Sequence, residues 1–348
     1  MSDVMVLGGG PAGLRAAISL AGLGINATVV EQETFLGGAV ARHRYQVLMP
    51  DFSSGPELVN TLVEEVSRQS RIQVETGTAV GRVQEKGEGF QVELLGPGGK
   101  RSQEFQAIVL ATGFKHFDAH RDGKYGYGVF PDVLTGSDLE ERIADGHLVR
   151  PSNGEVPQSV AFIYCVGSRD RQVGNTYCSR VCCAVSAKQG IELRRSLPLA
   201  RIVMFYMDVR TYGLWEDQLY WRAQEEAGIV YVKGRVAEIT QRQGHLVLKG
   251  EDTLVRGPFE WDFDLVVLAT GMEPSASTRD LSEKFGVDTE SHGFFRQAGP
   301  LDSAALTNRE GVFVAGTATG PKAIEDAIME GDVAAMAVLR YLRMKVRA

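Results

Sequence analysis

The fold is decided by residues 3–31, which read DVMVLGGGPAGLRAAISLAGLGINATVVE. An apolar strand runs into a glycine-rich turn, a helix follows to about Gly24, and a second apolar strand ends at Glu31. In this pattern Gly8 allows the tight turn, Gly10 lets the backbone approach a pyrophosphate, and Gly13 lets helix and strand pack closely. Free N–H groups at the helix N-terminus favour phosphate, and Glu31 is placed to bind a ribose. The stretch therefore predicts a dinucleotide-binding unit.

Three later segments resemble motifs of flavoproteins with two dinucleotide-binding domains, the thioredoxin-reductase-like family. Residues 107–113 and 264–271 are apolar strands that both end in Ala-Thr-Gly, and residues 311–322 form a strand that runs into a helix. The resemblance implies an α/β fold with two Rossmann-like, three-layer domains, of which the first binds FAD. It also implies that the C-terminal strand–helix junction turns backbone N–H groups toward the flavin.

The same resemblance assigns the FAD site residue by residue. The glycine turn, the acid after the second strand, the loop beyond it and the later junctions supply these residues, which are Gly8, Gly10, Pro11, Ala12, Gly13, Glu31, Gln32, Gly38, Arg42, Val80, Ala111, Thr112, Gly113, Gly316, Thr317, Pro321, Lys322, Ala323 and Ile324. The chain departs from the family at Thr317, where an aspartate usually bonds the ribityl chain. A hydroxyl can also form a hydrogen bond, so we expect a retained site with altered detail.

All four cysteines lie in one short segment, at Cys165, Cys178, Cys182 and Cys183. The softness of thiolate ligands limits the candidate centres to iron–sulfur, zinc or copper(I). A structural zinc site usually uses two Cys-x2-4-Cys pairs, whereas two adjacent cysteines suit a cuboidal cluster whose corners are separate irons. We therefore favour an iron–sulfur cluster on all four thiols. A zinc site and a redox dithiol are the alternatives.

The central part of the chain looks like a second nucleotide-binding domain that holds the metal centre instead. Residues 158–164 predict its first strand, and residues 201–206 and 229–232 predict later strands. The turn after the first strand lacks the Gly-x-Gly-x-x-Gly pattern, because Cys165 occupies its beginning. Strong NAD(P)H binding is not expected there, although Arg169 and Arg171 leave it open.

Taken together, Cys165-Val-Gly-Ser-Arg-Asp, Tyr177-Cys-Ser-Arg-Val-Cys-Cys183 and Gly316-Thr-Ala-Thr-Gly-Pro-Lys322 resemble the A subunit of heterodisulfide reductase, over essentially the whole chain. The resemblance implies FAD and a [4Fe–4S] cluster held by the four cysteines. It also implies that Lys188, on the helix after the last two cysteines, lies near the reactive edge of the flavin. Without this resemblance, Lys188 would be interpreted as an ordinary solvent-exposed helix residue.

The chain is similar to the short A subunit found in the heterodisulfide-reductase-like complexes of sulfur-oxidising bacteria. The methanogen-type members carry extra ferredoxin-like segments and further cysteines after the first glycine loop, and residues 35–50 contain none. The resemblance then implies a simple electron relay between one flavin and one cluster, with iron–sulfur partner subunits that handle a thiol or disulfide.

Bulk properties narrow the classes of function. The length of 348 residues argues for two domains. The net charge of −7 and the pI near 5.5 argue against nucleic acid as a partner. The chain contains no apolar run long enough to span a bilayer, and because residues 3–7 already predict the first strand, we expect no signal peptide. We expect a cytoplasmic protein without a membrane span, and a homodimer as the commonest oligomer.

The expected domains are a discontinuous FAD domain at 1–117 plus 290–348, a connecting excursion at 118–156, and the cluster domain at 157–285. Residues 72–83 and 90–95 predict a small antiparallel sheet in the FAD domain, and residues 323–342 predict a C-terminal helix. The six histidines are scattered without metal-site spacing.

Three functions fit these observations. The first is the electron relay described above, in thiol or disulfide metabolism. The second is a self-contained FAD-dependent NAD(P)H:disulfide reductase that uses Cys182 and Cys183 as a redox dithiol. The third is a non-catalytic assembly subunit. We favour the relay because the nucleotide-binding loop of the central domain is missing.

Overall fold

A computed structural model describes residues 4–299 and 303–345. The predicted start of the first strand at Asp3, and the parts of the predicted FAD domain at 1–3, 300–302 and 346–348, lie outside the described residues. The strands of the described part are, in chain order, Val4–Leu7 (β1), Ala27–Val30 (β2), Val47–Leu48 (β3), Ser53–Ser54 (β4), Ile72–Glu75 (β5), Ala79–Lys86 (β6), Gly89–Gly96 (β7), Gly99–Phe105 (β8), Ala107–Leu110 (β9), Phe114–His116 (β10), Val133–Thr135 (β11), Ser159–Val166 (β12), Arg201–Tyr206 (β13), Val230–Arg242 (β14), His245–Asp252 (β15), Gly257–Phe263 (β16), Leu265–Thr270 (β17), Met272–Pro274 (β18) and Val312–Val314 (β19).

The α-helices of the same residues are Pro11–Gly22 (α1), Gly38–Arg42 (α2), Gly55–Arg68 (α3), Gly136–Asp145 (α4), Cys182–Ser196 (α5), Arg222–Glu225 (α6), Thr278–Phe285 (α7) and Ile324–Lys345 (α8). Short 3₁₀ segments lie at Ala119–Arg121, Gly123–Tyr125 and Gly316–Thr319, and a π-helical turn at Glu216–Trp221. The described helices include none that is both long enough and apolar enough to cross a bilayer.

The first compact unit contains the described residues of Met1–Arg42, Pro56–Lys115 and Glu273–Ala348. Its centre is a five-stranded parallel sheet of order β19-β9-β1-β2-β5. Side chains alternate across the sheet, so Val4 and Val6 pack under α1, α3 and α8, whereas Met5 and Leu7 face the antiparallel sheet β6-β7-β8. Burial on both faces explains why these strands read as continuous apolar runs. The predicted three-layer α/β unit is confirmed.

The second compact unit contains His43–Gly55 and His116–Met272. Its seven-stranded sheet has the order β11-β17-β12-β13-β14-β15-β16 and is parallel as far as β14, which then pairs antiparallel with β15. Helix α5 packs against β12 and β17. The core contains a cluster of aromatic rings around Phe205, whose centroid lies 5.0 Å from that of Phe259 and 5.9 Å from that of Phe263. This unit has the predicted Rossmann-like parallel sheet.

Some segments belong to a different sheet or a different compact unit than the sequence analysis predicted. Residues 72–75 form β5, the edge strand of the parallel sheet, and only 79–86 join the antiparallel sheet, so the prediction of one antiparallel segment at 72–83 was wrong in its first half. Residues 43–55 and 118–156 group with the second unit, since β11 extends its sheet. Helix α7 groups with the first unit, where Leu281 and Phe285 pack with Val80.

Candidate functional site

The glycine-rich turn in the first unit forms a cradle that side chains would fill. Gly8 has φ +116°, and a Cβ there would lie 2.3 Å from the Ala111 carbonyl oxygen. A Cβ on Gly13 would lie 1.9 Å from the Gly8 oxygen, so helix α1 and strand β1 meet at van der Waals contact. Gly10 precedes α1 in an extended conformation, and no side chain caps the helix. Free N–H groups of the helix therefore face an open turn, as a bound pyrophosphate requires.

A second glycine lies directly against this turn. Gly38, the first residue of α2, has φ +56°, and a Cβ there would lie 2.8 Å from the Gly10 Cα. The two backbones therefore approach each other closely, with no side chain between them. The glycines at positions 10 and 38, which are far apart in sequence, thus belong to one cradle.

Glu31 is buried at the end of β2 and ties this region together. One carboxylate oxygen accepts a hydrogen bond from Gly9 N at 2.7 Å, and the other accepts one from Glu33 N at 2.8 Å. The neighbouring Gln32 is exposed, and Arg42 pairs with Glu33 at 2.6 Å. A carboxylate held in this way at the end of the second strand is positioned for a ribose hydroxyl.

The later Ala-Thr-Gly and strand–helix motifs of the first unit meet close to the cradle. Ala111, Thr112 and Gly113 follow β9, and the hydroxyl of Thr112 is buried without a hydrogen-bond partner in the described part of the chain. Such an orphaned hydroxyl is expected where a ligand supplies the partner. A Cβ on Gly316 would lie 2.7 Å from the Ala12 Cβ, which places the C-terminal junction against the start of α1.

The remaining predicted FAD residues lie in the same unit. Lys322 is buried and bonds both carboxylate oxygens of Glu330 at 2.6 Å, while Glu330 accepts the Gly316 N–H at 2.8 Å. This ion pair fixes the junction around Thr317, Pro321, Ala323 and Ile324. Val80 is buried in β6, and its carbonyl accepts a hydrogen bond from Lys284 at 2.8 Å. The glycine cradle, uncapped helix and orphaned hydroxyl fit a dinucleotide such as FAD.

In the second unit the cysteine segment replaces the glycine-rich turn after β12, as the sequence predicts. Cys165, Arg169 and Arg180 all have positive φ, at 61°, 55° and 62°. Such angles are uncommon for residues other than glycine and concentrate at functional sites. Ser179 anchors the segment, because its hydroxyl accepts the Met272 N–H at 2.8 Å and lies 3.0 Å from the Ser168 hydroxyl.

The structure brings three of the four thiols together. The pKa of Cys165 is lowered, first by a hydrogen bond from the Cys182 thiol and also by the nearby Arg169 guanidinium. The pKa of Cys182 is raised well above its usual value, because hydrogen bonding to the Cys165 and Cys183 sulfurs and burial all disfavour its thiolate. A hydrogen bond from Cys182 also lowers the pKa of Cys183. Three of the four thiols therefore influence one another's pKa.

Cys178 is the partly exposed member of the set. Its sulfur accepts a hydrogen bond from Arg180 N at 3.3 Å and makes none with the other thiols in the described residues. Within 4–299 and 303–345, no three His, Cys, Asp or Glu side chains are arranged to hold a metal ion. The donor chemistry, four thiols on a loop and a helix start, nevertheless suits the soft irons of a cluster whose corners are separate atoms.

Lys188 is buried within α5 and is not the solvated helix residue that its sequence position alone suggests. Its ammonium contacts Glu140 at 2.6 Å, Glu192 at 3.0 Å and the carbonyl of Val47 at 3.2 Å. Gln189 also donates to Glu140, at 2.7 Å. Burial raises the pKa of Glu192. The lysine is therefore held by a buried carboxylate from α4, which sequence inspection missed because nothing local links residues 140 and 188.

A second group that sequence inspection missed lies in the same unit. The Tyr45 hydroxyl is 2.8 Å from Nε2 of His116, and the His43 and His116 ring centroids are 5.0 Å apart. Burial, and then the neighbouring His43, lower the pKa of His116 to about 3. Burial likewise raises the pKa of Tyr45. His116 is therefore neutral at physiological pH. Sequence inspection missed this contact because Tyr45 and His116 are far apart in the chain.

Comparisons with known proteins agree with this geometry. The sequence pattern of the family described as pyridine nucleotide-disulphide oxidoreductase matches residues 2–331. Over 238 residues, the chain is 39% identical to the A subunit of the H(2):CoB-CoM heterodisulfide,ferredoxin reductase of Methanothermobacter thermautotrophicus, in an alignment that covers 67% of this chain and 36% of the relative. It is 38% identical to the iron-sulfur A subunit of the CoB–CoM heterodisulfide reductase of Methanocaldococcus jannaschii, over 66% of this chain and 36% of that protein.

The chain thus spans about a third of the length of these curated relatives. Among solved structures, the thioredoxin reductase of Lactococcus lactis superposes with a TM-score of 0.68 at 17% identity, over 99% of this chain and 100% of that one. At this identity the likeness concerns the fold. The predicted thioredoxin-reductase-like fold and the resemblance to the heterodisulfide reductase A subunits are both confirmed.

Proposed function

The chain belongs to the pyridine nucleotide-disulphide oxidoreductase family, and from this premise we propose that it is an electron-transfer subunit that carries FAD and a [4Fe–4S] cluster. It exchanges electrons with iron–sulfur partner subunits of a heterodisulfide-reductase-like complex in thiol or disulfide metabolism. The observation that carries this proposal is the replacement of the second nucleotide-binding turn by four cysteines on the frame of a flavoprotein.

The first unit is the proposed FAD site. Gly8, Gly10 and Gly13 admit the pyrophosphate to the N-terminus of α1, and Glu31 binds the adenosine ribose. The Thr112 hydroxyl, orphaned among the described residues, gains a partner in the bound dinucleotide. The Lys322–Glu330 pair keeps the junction at Thr317 and Pro321–Ile324 rigid beside the flavin.

The second unit is the proposed cluster site, with Cys165, Cys178, Cys182 and Cys183 as ligands. FAD supplies electron exchange in pairs or singly and the cluster supplies exchange one electron at a time, so together they connect two-electron and one-electron chemistry. The arrangement consumes all four thiols of the chain. No cysteine then remains to attack a substrate disulfide, which leaves the thiol or disulfide chemistry to partner subunits.

Lys188 is the proposed catalytic residue of the second unit, a role that the resemblance to the heterodisulfide reductase A subunits implies. Its ammonium is desolvated and is held by Glu140 and Glu192, so its position is fixed. A fixed cation stabilises negative charge that develops on a neighbouring group, more strongly in a buried site than in water. This role is carried over from the family resemblance and from the burial of Lys188.

Substitution of a cluster ligand tests the proposal directly. Cys178→Ala should abolish the visible absorbance of the iron–sulfur cluster and leave the FAD content unchanged, because the two sites are built from different segments. Thr176→Ala, at an exposed position in the same loop, is the matched control and should retain both. A Cys178→Ala protein that keeps its full iron content would refute the ligand assignment.

The alternative with the most support is an NAD(P)H:disulfide reductase that uses Cys182 and Cys183. Its supporting observation is the position of these two adjacent thiols at the start of α5, with the lowered pKa of Cys183. This alternative predicts rapid NAD(P)H oxidation by iron-free protein, and its loss in Cys183→Ser. The relay predicts slow NAD(P)H oxidation in both proteins.

A further inference from the structure

One arginine of the cysteine segment is held in a backbone conformation that arginine rarely adopts. Arg169 has φ 55°, and its backbone N–H donates to the Tyr177 carbonyl at 2.9 Å. A positive φ outside glycine persists only where the surrounding structure fixes it, and such residues concentrate at functional sites. The Arg169 residue is partly buried, whereas Arg171 in the same loop is exposed. The loop therefore turns Arg169 inward and leaves Arg171 at the surface.

The Arg169 guanidinium contacts both Asp208 and the proposed cluster ligand Cys165. Its two terminal nitrogens each donate to one carboxylate oxygen of Asp208, the second at 3.2 Å, so the ion pair is bidentate. Arg169 and Cys165 also line the same narrow cleft. The pKa of Cys165 is lowered, first by its hydrogen bond with Cys182 and then, against the effect of burial, by the charge and a hydrogen bond of Arg169. A permanent positive charge is therefore fixed beside one proposed ligand.

Asp208 brings the opposite charge to a second proposed ligand. Its carbonyl oxygen lies 3.9 Å from the Cys183 sulfur, and its carboxylate also lies 3.4 Å from Arg210. The pKa of Cys183 is lowered, first by its hydrogen bond with Cys182, and the negative charge of Asp208 opposes this lowering. The ion pair therefore reaches two of the four proposed ligands.

Fixed charges at these positions act on the reduction potential of a bound cluster. Reduction adds one negative charge, which a nearby cation stabilises and a nearby anion destabilises. The adjacent acid of the loop, Asp170, pairs instead with Arg235 at 2.8 Å. The bidentate pair therefore supplies charges of both signs beside the proposed cluster.

We infer that the Arg169–Asp208 ion pair adjusts the reduction potential of the cluster bound by the four cysteines, with Arg169 raising it and Asp208 lowering it. The inference rests on the proposed function and assigns a role to two residues outside the set of ligands. Arg169 has the larger effect, because its side chain is 22% exposed and that of Asp208 is 44% exposed. Neither residue gains or loses an electron or a proton. The pair changes only the free-energy difference between the oxidised and the reduced cluster.

The test measures the reduction potential of the cluster in the whole chain purified without oxygen, from the EPR signal of the reduced cluster during a titration with dithionite. Arg169→Gln should favour the oxidised cluster by about tenfold, which lowers the potential by about 59 mV for one electron. Arg169→Lys keeps the positive charge and should recover part of this shift. Arg171→Gln is the matched control, because it removes the same charge from an exposed position in the same loop. It should shift the equilibrium by less than about twofold.

Asp208→Asn supplies a second variant with the opposite expected sign. It should favour the reduced cluster and raise the potential, because it removes the anion and leaves the Arg169 charge unopposed. Shifts of the same sign in Arg169→Gln and Asp208→Asn, equal shifts in Arg169→Gln and Arg171→Gln, or loss of iron from both variants of the pair would overturn the inference. Iron and flavin are assayed in every sample, so a parent protein that lacks iron overturns the proposed function separately.

Discussion

At the scale of single residues, Gly38 shows most clearly that the first unit is built to admit a ligand. Its φ of +56° and its approach to the Gly10 Cα leave no room for a side chain. Gly87 has nearly the same φ, +58°, but open space around its Cα. The two positions separate the cost of an unusual backbone angle from the cost of filling the cradle.

Gly38→Ala should therefore lower the FAD content of purified protein severalfold, because the new methyl group would push α2 away from the glycine turn. Gly87→Ala introduces the same backbone strain, about 1 kcal/mol, and should keep its FAD. The amount of flavin released per chain, measured by absorbance, is compared between the two variants. Equal FAD content in both variants would show that residues 10 and 38 do not form the binding cradle.

The buried pair of Lys188 and Glu140 makes a second prediction at this scale. Lys188→Met leaves Glu140 and Glu192 without their cation in a buried site, which should destabilise the protein by about 3 kcal/mol. Lys249→Met is the control, because Lys249 pairs with Glu238 on the surface and should contribute less than about 1 kcal/mol. Urea denaturation followed by circular dichroism measures both.

The double variant Lys188→Met/Glu140→Gln should recover part of the loss, since it removes a charge together with its partner. No recovery, or a loss as small as that of Lys249→Met, would contradict a buried ion pair.

Glu140 also illustrates the limit of prediction from sequence. Lys188 was proposed through the family resemblance, but its partner lies on α4, and only the tertiary fold brings Glu140 and Lys188 together.

At the scale of secondary-structure elements, α4 has local start and stop signals that the sequence displays in full. The Thr135 hydroxyl accepts the Asp138 N–H at 3.2 Å, and the Asp138 carboxylate accepts the Thr135 N–H at 2.8 Å. The helix ends at Gly146, which has φ 70°. Since α4 carries Glu140, this capping box also supports the position of Lys188.

Thr135→Ala should lower the free energy of unfolding by about 1 kcal/mol, because it leaves a helix-terminal N–H without its partner. Thr135→Ser keeps the hydroxyl and should be close to the parent protein. The comparison is made by urea denaturation. Similar losses in both variants would mean that the methyl group of Thr135, and not its hydroxyl, stabilises α4.

The elements that sequence patterns predicted best are those with continuous apolar runs. Strands β12, β13 and β17 lie within one or two residues of their predicted bounds, because burial on both faces demands apolar residues throughout. Strand β5 was misassigned, because its polar alternation, Ile-Gln-Val-Glu, is typical of an antiparallel strand. It is polar because it is the edge of the parallel sheet, and position in a sheet is not a local property.

At the scale of the whole molecule, the two proposed cofactor sites lie in different units. The first contains the glycine cradle and the junction at Gly316, and the second contains the cysteines and Lys188. The FAD residues could be proposed from sequence because dinucleotide binding depends on backbone turns with a fixed glycine pattern. The Tyr45–His116 contact could not, since it depends on which distant residues the fold brings together.

The central claim is that one chain holds one FAD and one [4Fe–4S] cluster. The measurement that tests it most directly is the content of iron, acid-labile sulfide and released flavin per chain, in protein purified without oxygen. The account predicts about four irons, four sulfides and one FAD, as four thiolate ligands and one cradle require. Zinc in place of iron, or metal-free protein with titratable thiols and intact FAD, would contradict it.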